Sequence, residues 1–258
     1  MILSGPESRF ASALRPSPNH GERRGRLAAD AVILHYTGMR GAESALSWLC
    51  DPRSQVSCHY FVSEDGCVTQ LVNESRRAWH AGQSFWRGER DVNSMSIGVE
   101  IDNAGHEFGS PPFCQAQIAA VIDLCRDLCA RLAIPAERVL AHSDVAPARK
   151  RDPGEAFPWA RLHAAGIGHW RDPPPPSKPL LSHGERGAAL ETMQALLARY
   201  GYECPQSGVF DEGTQTVVRA FQRHFRPGRV DGEIDLSTLE ALKNVLASLP
   251  AAAAARSG

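Results

Sequence analysis

Four consecutive prolines, Pro173 to Pro176, follow Asp172. Proline holds φ at about −65° and lacks an amide hydrogen, so neither a helix interior nor a central strand can run through such a stretch. The segment reads instead as a stiff, extended connector. It divides the 258 residues into a longer N-terminal part and a shorter C-terminal one, which suits one medium domain and one small domain. The expected organisation is an irregular arm over 1–29, a main domain over 30–170, a proline-rich linker over 171–182, a small domain over 183–249 and a disordered tail over 250–258.

The main domain alternates strand and helix signals. Ala31 to Tyr36 is an apolar run bounded by Asp30 and Gly38, which predicts a buried strand. Gly41 to Cys50 predicts a short helix, with Ala42, Leu46 and Leu49 along one side. His59 to Ser63 and Cys67 to Val72 predict two strands. Glu64-Asp65-Gly66 joins them as a hairpin turn, because Asp-Gly tolerates the positive φ that tight hairpins demand. Ser96 to Ile101 predicts a strand with Ile97, Val99 and Ile101 on one face and Ser96, Gly98 and Glu100 on the other. Gln115 to Leu132 has helical periodicity through Ile118, Val121, Ile122, Cys125, Leu128 and Leu132. Arg138 to Ala141 is a last short strand. Strands separated by helices imply an α/β fold, a mixed central sheet flanked by helices. Beyond the prolines, Ala188 to Tyr200, Glu212 to Phe225 and Leu236 to Leu249 each repeat apolar residues at helical spacing. Three such helices predict a compact bundle.

Composition excludes several classes of function. A formal net charge of −1 supplies no global basic field for nucleic acid or an anionic membrane. No stretch of about 20 apolar residues is present to span a bilayer. The seven cysteines are odd in number and scattered, which argues against a disulfide scaffold. Cys125 and Cys129 lie one helical turn apart on an apolar helix and read as core. Met1 to Arg26 mixes prolines, glutamates and arginines without an apolar stretch of the kind a secretory signal needs. The expected location is therefore the cytoplasm, with the periplasm or cell envelope as the alternative if the true start lies elsewhere. No coiled-coil heptads appear, and a monomer is expected.

Three polar positions stand out by where they fall. His35 ends the first strand, His142 follows the last strand of the main domain, and Asp152 lies ten positions further on. Strand ends and a following loop can converge on one side of a sheet. Two imidazoles and a carboxylate suit Zn²⁺ at about 2.0–2.2 Å with a fourth position open to water. Such a site suits amide hydrolysis. On spacing alone, a histidine at a strand end is more often a satisfied structural group than a ligand.

The ordered series His35-Tyr36-Thr37, Ser57-Cys58-His59-Tyr60, Ala78-Trp79-His80-Ala81-Gly82, Ser96-Ile97-Gly98-Val99-Glu100-Ile101, Ala141-His142-Ser143-Asp144 and Arg149-Lys150-Arg151-Asp152-Pro153-Gly154 resembles the type 2 N-acetylmuramoyl-L-alanine amidases. These are relatives of phage amidase lysozymes and peptidoglycan recognition proteins. Within that family the chain is most similar to the AmiD-type branch. The resemblance covers about residues 31–170 and implies that His35, His142 and Asp152 bind zinc. It implies that Glu100 is the acidic catalytic residue, exchanging protons with the attacking water and the leaving amine. It further implies that Lys150 stabilises the oxyanion, although Lys150 also reads as one surface charge in a basic run. His59 and His80 sit in family motifs as groove-lining candidates, and His80 reads equally as a buried residue holding its loop. Tyr36 is a pocket-shaping candidate. Trp86, in a Gly/Arg-rich loop, is a candidate apolar wall for sugar or peptide, and Arg77 a candidate partner for a substrate carboxylate. Arg151, between Lys150 and Asp152, adds a positive charge beside the site.

The C-terminal part, over about residues 183–249, resembles a three-helix peptidoglycan-binding domain through Gly208-Val209-Phe210-Asp211, Phe221-Gln222 and Val230-Asp231-Gly232. Asp211 is placed to be an N-cap. The domain reads as a wall-binding module or as a stabilising appendage. The resemblance implies a zinc-dependent amidase that cuts between N-acetylmuramic acid, or its anhydro form, and L-alanine, with peptidoglycan or a muropeptide as its partner. A non-catalytic recognition module and a zinc endopeptidase acting within the stem peptide are the competing readings.

Overall fold

A computed structural model describes residues 5–250. The tail expected at the C-terminus lies, apart from Pro250, outside the described residues. The N-terminal segment carries two short strands, β1 (Ala13–Leu14) and β2 (His20–Glu22). Then come β3 (Ala31–Tyr36), α1 (Ala42–Cys50), β4 (Tyr60–Val62), β5 (Val68–Gln70) and β6 (Arg76–Ala78). The short α2 (Val92–Met95) leads into β7 (Ser96–Ile101), followed by α3 (Gln115–Leu132), β8 (Val139–Ala141), α4 (His142–Val145) and α5 (Trp159–Ala164). The C-terminal part holds β9 (Pro179–Leu181), α6 (Ala188–Tyr200), α7 (Glu212–Phe225), β10 (Ile234–Asp235) and α8 (Leu236–Ala247).

The main sheet has six strands in the order β1-β5-β4-β7-β3-β8. β3 runs parallel to both β7 and β8, β4 runs parallel to β7, and the β4–β5 pair is antiparallel. The sheet is therefore mixed. β3 and β7 are buried along almost their whole length, as expected for parallel strands covered on both faces. Val121, Leu124 and Leu128 of α3 join Tyr60, Val62 and Val99 in one apolar cluster. Ala45 and Leu49 of α1 join Phe61 and Leu71 in a second. The sheet thus lies between two layers.

The segment before residue 30 is not the irregular arm expected. β1 pairs with β5, and β2 with β6. Backbone amides of Ser12, Arg15 and Ser17 donate to the carbonyls of Val68, Gln70 and Leu71 at 2.9–3.0 Å. Arg23 is buried, its guanidinium donating to the carbonyls of Glu74, Ser94 and Ser96. Strands of two or three residues with half-exposed side chains carry no periodicity to read, and tertiary pairing alone forms them.

Two of the three C-terminal helices, α7 and α8, start at an aspartate, the first of them the N-cap expected from the sequence. Asp211 accepts the amide of Thr214 at 2.8 Å, and Asp235 that of Thr238 at 2.7 Å. The proline-rich segment is tied down: β9 pairs antiparallel with β10, and the Ser177 amide donates to Asp235. The bundle also shares the principal apolar cluster with the sheet domain, Trp86 and Trp159 with Tyr200, Tyr202 and Phe225. Among the described residues, no helix is long and apolar enough to cross a membrane.

Candidate active site

Strand register assembles the site. His35 on β3 has Glu100 on β7 as its Cα partner, so both side chains leave the sheet on the same face. Leu34 pairs with Ala141 of β8, and His142 comes next as the first residue of α4. The Ser143 amide donates to the Asp152 carbonyl at 3.0 Å, folding the loop back over the strand ends. His35 Nδ1 and His142 Nδ1 then lie 2.9 Å apart, and Asp152 Oδ2 lies 3.1 Å from the first and 3.0 Å from the second. All three residues are buried, and together they form a group able to hold a metal ion.

The donor chemistry fits such an ion. His142 Nε2 lies 3.0 Å from the carbonyl of Ala81. A carbonyl only accepts, so Nε2 carries the hydrogen, and in the neutral ring Nδ1 is bare. That lone pair faces a carboxylate oxygen and a second imidazole nitrogen. Three converging lone pairs out of water call for a cation. Burial, reinforced by the field of His142, lowers the His35 pKa to about 4 against the opposing pull of Asp152.

The three residues form the floor of a cleft of about 460 Å³, whose walls include Tyr36, Trp48, His80, Glu100 and Lys150. Glu100 Oε2 is buried and has no hydrogen-bond partner among the described residues. Burial first, and the Asp152 charge second, push its carboxyl well above the usual range, while Lys150 pulls the other way. A carboxyl so placed can hold or release a proton within the cleft. Tyr36 does face the cleft, and its hydroxyl lies 2.9 Å from His106 Nδ1. His106 Nε2 in turn lies 3.0 Å from Glu155, whose carboxyl falls to about 2 chiefly through that hydrogen bond. His106 and Trp48 escaped the sequence reading. Trp48 is 49% exposed and borders the cleft together with Ala45 and Leu49, the buried residues of α1. A large aromatic ring left half exposed at the edge of a helix's apolar side is visible only once the cleft is formed.

Three expected substrate contacts fall outside this cleft. His59 is fully buried: its Nδ1 accepts the Gly98 amide at 2.9 Å, and its Nε2 lies 3.1 Å from the Arg23 guanidinium. Arg77 makes a fork to Asp91, at 2.7 and 3.0 Å to one oxygen, and borders a separate surface hollow beside Trp79. Trp86 is completely buried, with its ring edge-on to Tyr200 and Tyr202 of the C-terminal part at 5.8 and 5.1 Å. His59 and Arg77 have satisfied their polar atoms inside the protein, and Trp86 is committed to packing, its Nε1 without a hydrogen-bond partner among the described residues. His80 does border the cleft, but as a buried ring behind His35, with 3.0 Å between its Nδ1 and His35 Nε2.

Comparison with known proteins agrees with this geometry. Residues 25–155 match the family described as "N-acetylmuramoyl-L-alanine amidase", and residues 186–242 match the "Putative peptidoglycan binding domain". The chain is 39% identical to the N-acetylmuramoyl-L-alanine amidase AmiD of Escherichia coli (strain K12), over 80% of this chain and 78% of that protein. The solved complex of E. coli AmiD with anhydro-N-acetylmuramic acid-L-Ala-D-gamma-Glu-L-Lys superposes with a TM-score of 0.72 at 37% identity, covering 87% of this chain and 93% of the solved chain. The Pseudomonas aeruginosa AmpDh3 complex with anhydromuramic pentapeptide superposes with a TM-score of 0.70 at 28% identity, covering 97% of this chain and 100% of that one. The mixed sheet, the His-His-Asp floor and these likenesses place the chain in the N-acetylmuramoyl-L-alanine amidase family, in its AmiD-like branch with a C-terminal peptidoglycan-binding domain.

Proposed function

We propose that this protein hydrolyses the amide between N-acetylmuramic acid, or its anhydro form, and L-alanine in peptidoglycan or muropeptides, using one zinc ion in cell-wall turnover or recycling. The observation that carries this reading is the convergence of His35 Nδ1, His142 Nδ1 and Asp152 Oδ2 within 3.1 Å of one another at the base of an open cleft. Zinc bound there polarises a carbonyl and acidifies water. Glu100, with an unpartnered carboxyl oxygen beside the ligands, takes the proton of the attacking water and delivers one to the departing alanine amine. The Lys150 ammonium on the cleft wall offsets negative charge as the carbonyl carbon becomes tetrahedral. Trp48 and Tyr36 offer the sugar and the stem an apolar, partly wet surface. The C-terminal bundle would hold polymeric wall near the cleft. The relatives solved with anhydromuropeptides support the choice of substrate class.

Mass analysis of the products from an anhydromuropeptide tests the reading. Free peptide with an N-terminal alanine, together with free anhydro-N-acetylmuramic acid, is the expected pair. Cleavage within the peptide would point to an endopeptidase, and intact substrate at full zinc loading to a recognition module.

A further inference from the structure

β7 presents Ser96, Gly98 and Glu100 on one face, and the imidazole of His80 lies flat against it. A Cβ on Gly98 would come within 2.4 Å of His80 Cγ, so any side chain there evicts the ring. The loop bearing His80 is pinned by Asn93 Oδ1, which accepts the amides of His80 and Ala81 at 3.0 and 2.8 Å. The ring nitrogens meet His35 on one side and Ser96 on the other, with His80 Nδ1 3.0 Å from His35 Nε2 and His80 Nε2 3.3 Å from Ser96 Oγ.

The hydrogens along this row follow from its far end. Ser96 Oγ lies 2.6 Å from the carbonyl of Val92. A carbonyl cannot donate, so the single hydroxyl hydrogen of Ser96 points at Val92, and Ser96 Oγ offers His80 a lone pair. His80 Nε2 therefore carries a hydrogen. A second ring hydrogen would place a positive charge in a buried site where neither neighbour, a serine or a histidine, supplies a counter-charge. His80 Nδ1 is accordingly bare and accepts from His35 Nε2. The Nδ1 lone pair of His35 is thereby left pointing at His142 and Asp152.

We propose that His80, aligned by Ser96 and admitted by Gly98, is a positioning residue that fixes His35 in the tautomer able to bind the metal through Nδ1. This rests on the metal-site reading above, and it explains why a buried histidine sits behind a ligand in place of an apolar residue. Partners of this kind orient a metal-bound imidazole and raise its basicity, and losing one costs roughly 10- to 100-fold in metal affinity.

The test reads the tautomer directly, by long-range nitrogen–hydrogen correlation spectra of the histidine rings in the metal-free, full-length protein. His35 is expected as the Nε2–H form. In His80→Phe, which keeps a ring but removes the acceptor, zinc affinity measured by chelator competition is expected to fall by roughly 10- to 100-fold. His80→Asn places a carbonyl oxygen on Cγ where Nδ1 stood, and is expected to recover most of that loss. A wild-type His35 carrying its hydrogen on Nδ1, or a His80→Phe protein that folds and binds zinc as tightly as wild type, would overturn the proposal. Because the wild-type spectrum needs neither substrate nor variant, it decides the matter even if both substitutions prevent folding. An inactive enzyme with His35 in the Nε2–H form would refute the amidase reading alone.

Discussion

At the scale of single residues, the site is a set of hydrogen-bond directions as much as a set of distances. His142 points a bare nitrogen inward because its other nitrogen is committed to Ala81. Glu100 keeps one carboxyl oxygen without a hydrogen-bond partner among the described residues. Glu100→Gln removes the proton acceptor but leaves all three ligands. The expected result is a fall of about 10²- to 10⁴-fold in kcat with zinc content unchanged, checked by steady-state kinetics beside metal analysis. Trp48, half exposed on the cleft wall, is placed to bind rather than to react. Trp48→Ala is expected to raise KM several-fold at nearly constant kcat, in line with an aromatic contact of about 0.5–1.5 kcal/mol. The sequence sets His35 and His142 at strand ends and Asp152 in a following loop, and the structure brings the three together; Glu100 is singled out by the motif resemblance and lines the same cleft. Arg77, His59 and Trp86 were misread because their partners Asp91, Arg23 and Tyr202 are set by the folded structure. An unpaired polar or aromatic residue in a sequence looks the same whether it awaits a substrate or a distant part of its own chain.

At the scale of elements, β3, β7 and α3 match their sequence-predicted bounds residue for residue, since each combines a clear period with a breaker at its end. The strands of the N-terminal segment, by contrast, borrow their hydrogen bonds from β5 and β6 and have no local signature. Asp102, just past the end of β7, carries a pH-dependent weakness. Burial, helped by Glu64, raises its folded-state pKa to about 6 from an ordinary 3.8. The unfolded chain therefore gives up this proton first, and stability falls as pH rises between those two values. Above about pH 6 the penalty is complete. Asp102→Asn removes the titration, so thermal melts of the variant and the wild type across pH 4 to 7 are expected to diverge, with the variant gaining as pH rises. Parallel melting curves would contradict this.

At the scale of the whole molecule, the C-terminal bundle is docked onto the helix that begins with His142. The carboxylate of Asp144 accepts the Tyr202 hydroxyl at 2.6 Å, lies 2.6 Å from His224 Nδ1, and accepts the Ala141 amide at 2.8 Å. Trp159 stacks on His224 at 3.8 Å, and Arg87 donates to the Tyr200 carbonyl. Gly201 admits Trp86, since a Cβ there would come within 2.6 Å of the indole. The proline run was legible as a boundary between two units, but the polar and aromatic seam that joins them was not. Tyr202→Phe is expected to lower the unfolding free energy by about 1.5–3 kcal/mol, the worth of a hydrogen bond to a charged group, and Trp86→Ala by about 3–5 kcal/mol. Both are read from denaturant melts that remain one cooperative transition. The proposed activity depends on one metal ion held by His35, His142 and Asp152, which converge at the cleft. Titrating zinc into the stripped protein while following peptide release from an anhydromuropeptide tests this most directly. Activity should be absent at first, rise in proportion to added zinc and stop at one equivalent per chain; full activity in the stripped protein, or a plateau at two equivalents, would contradict it.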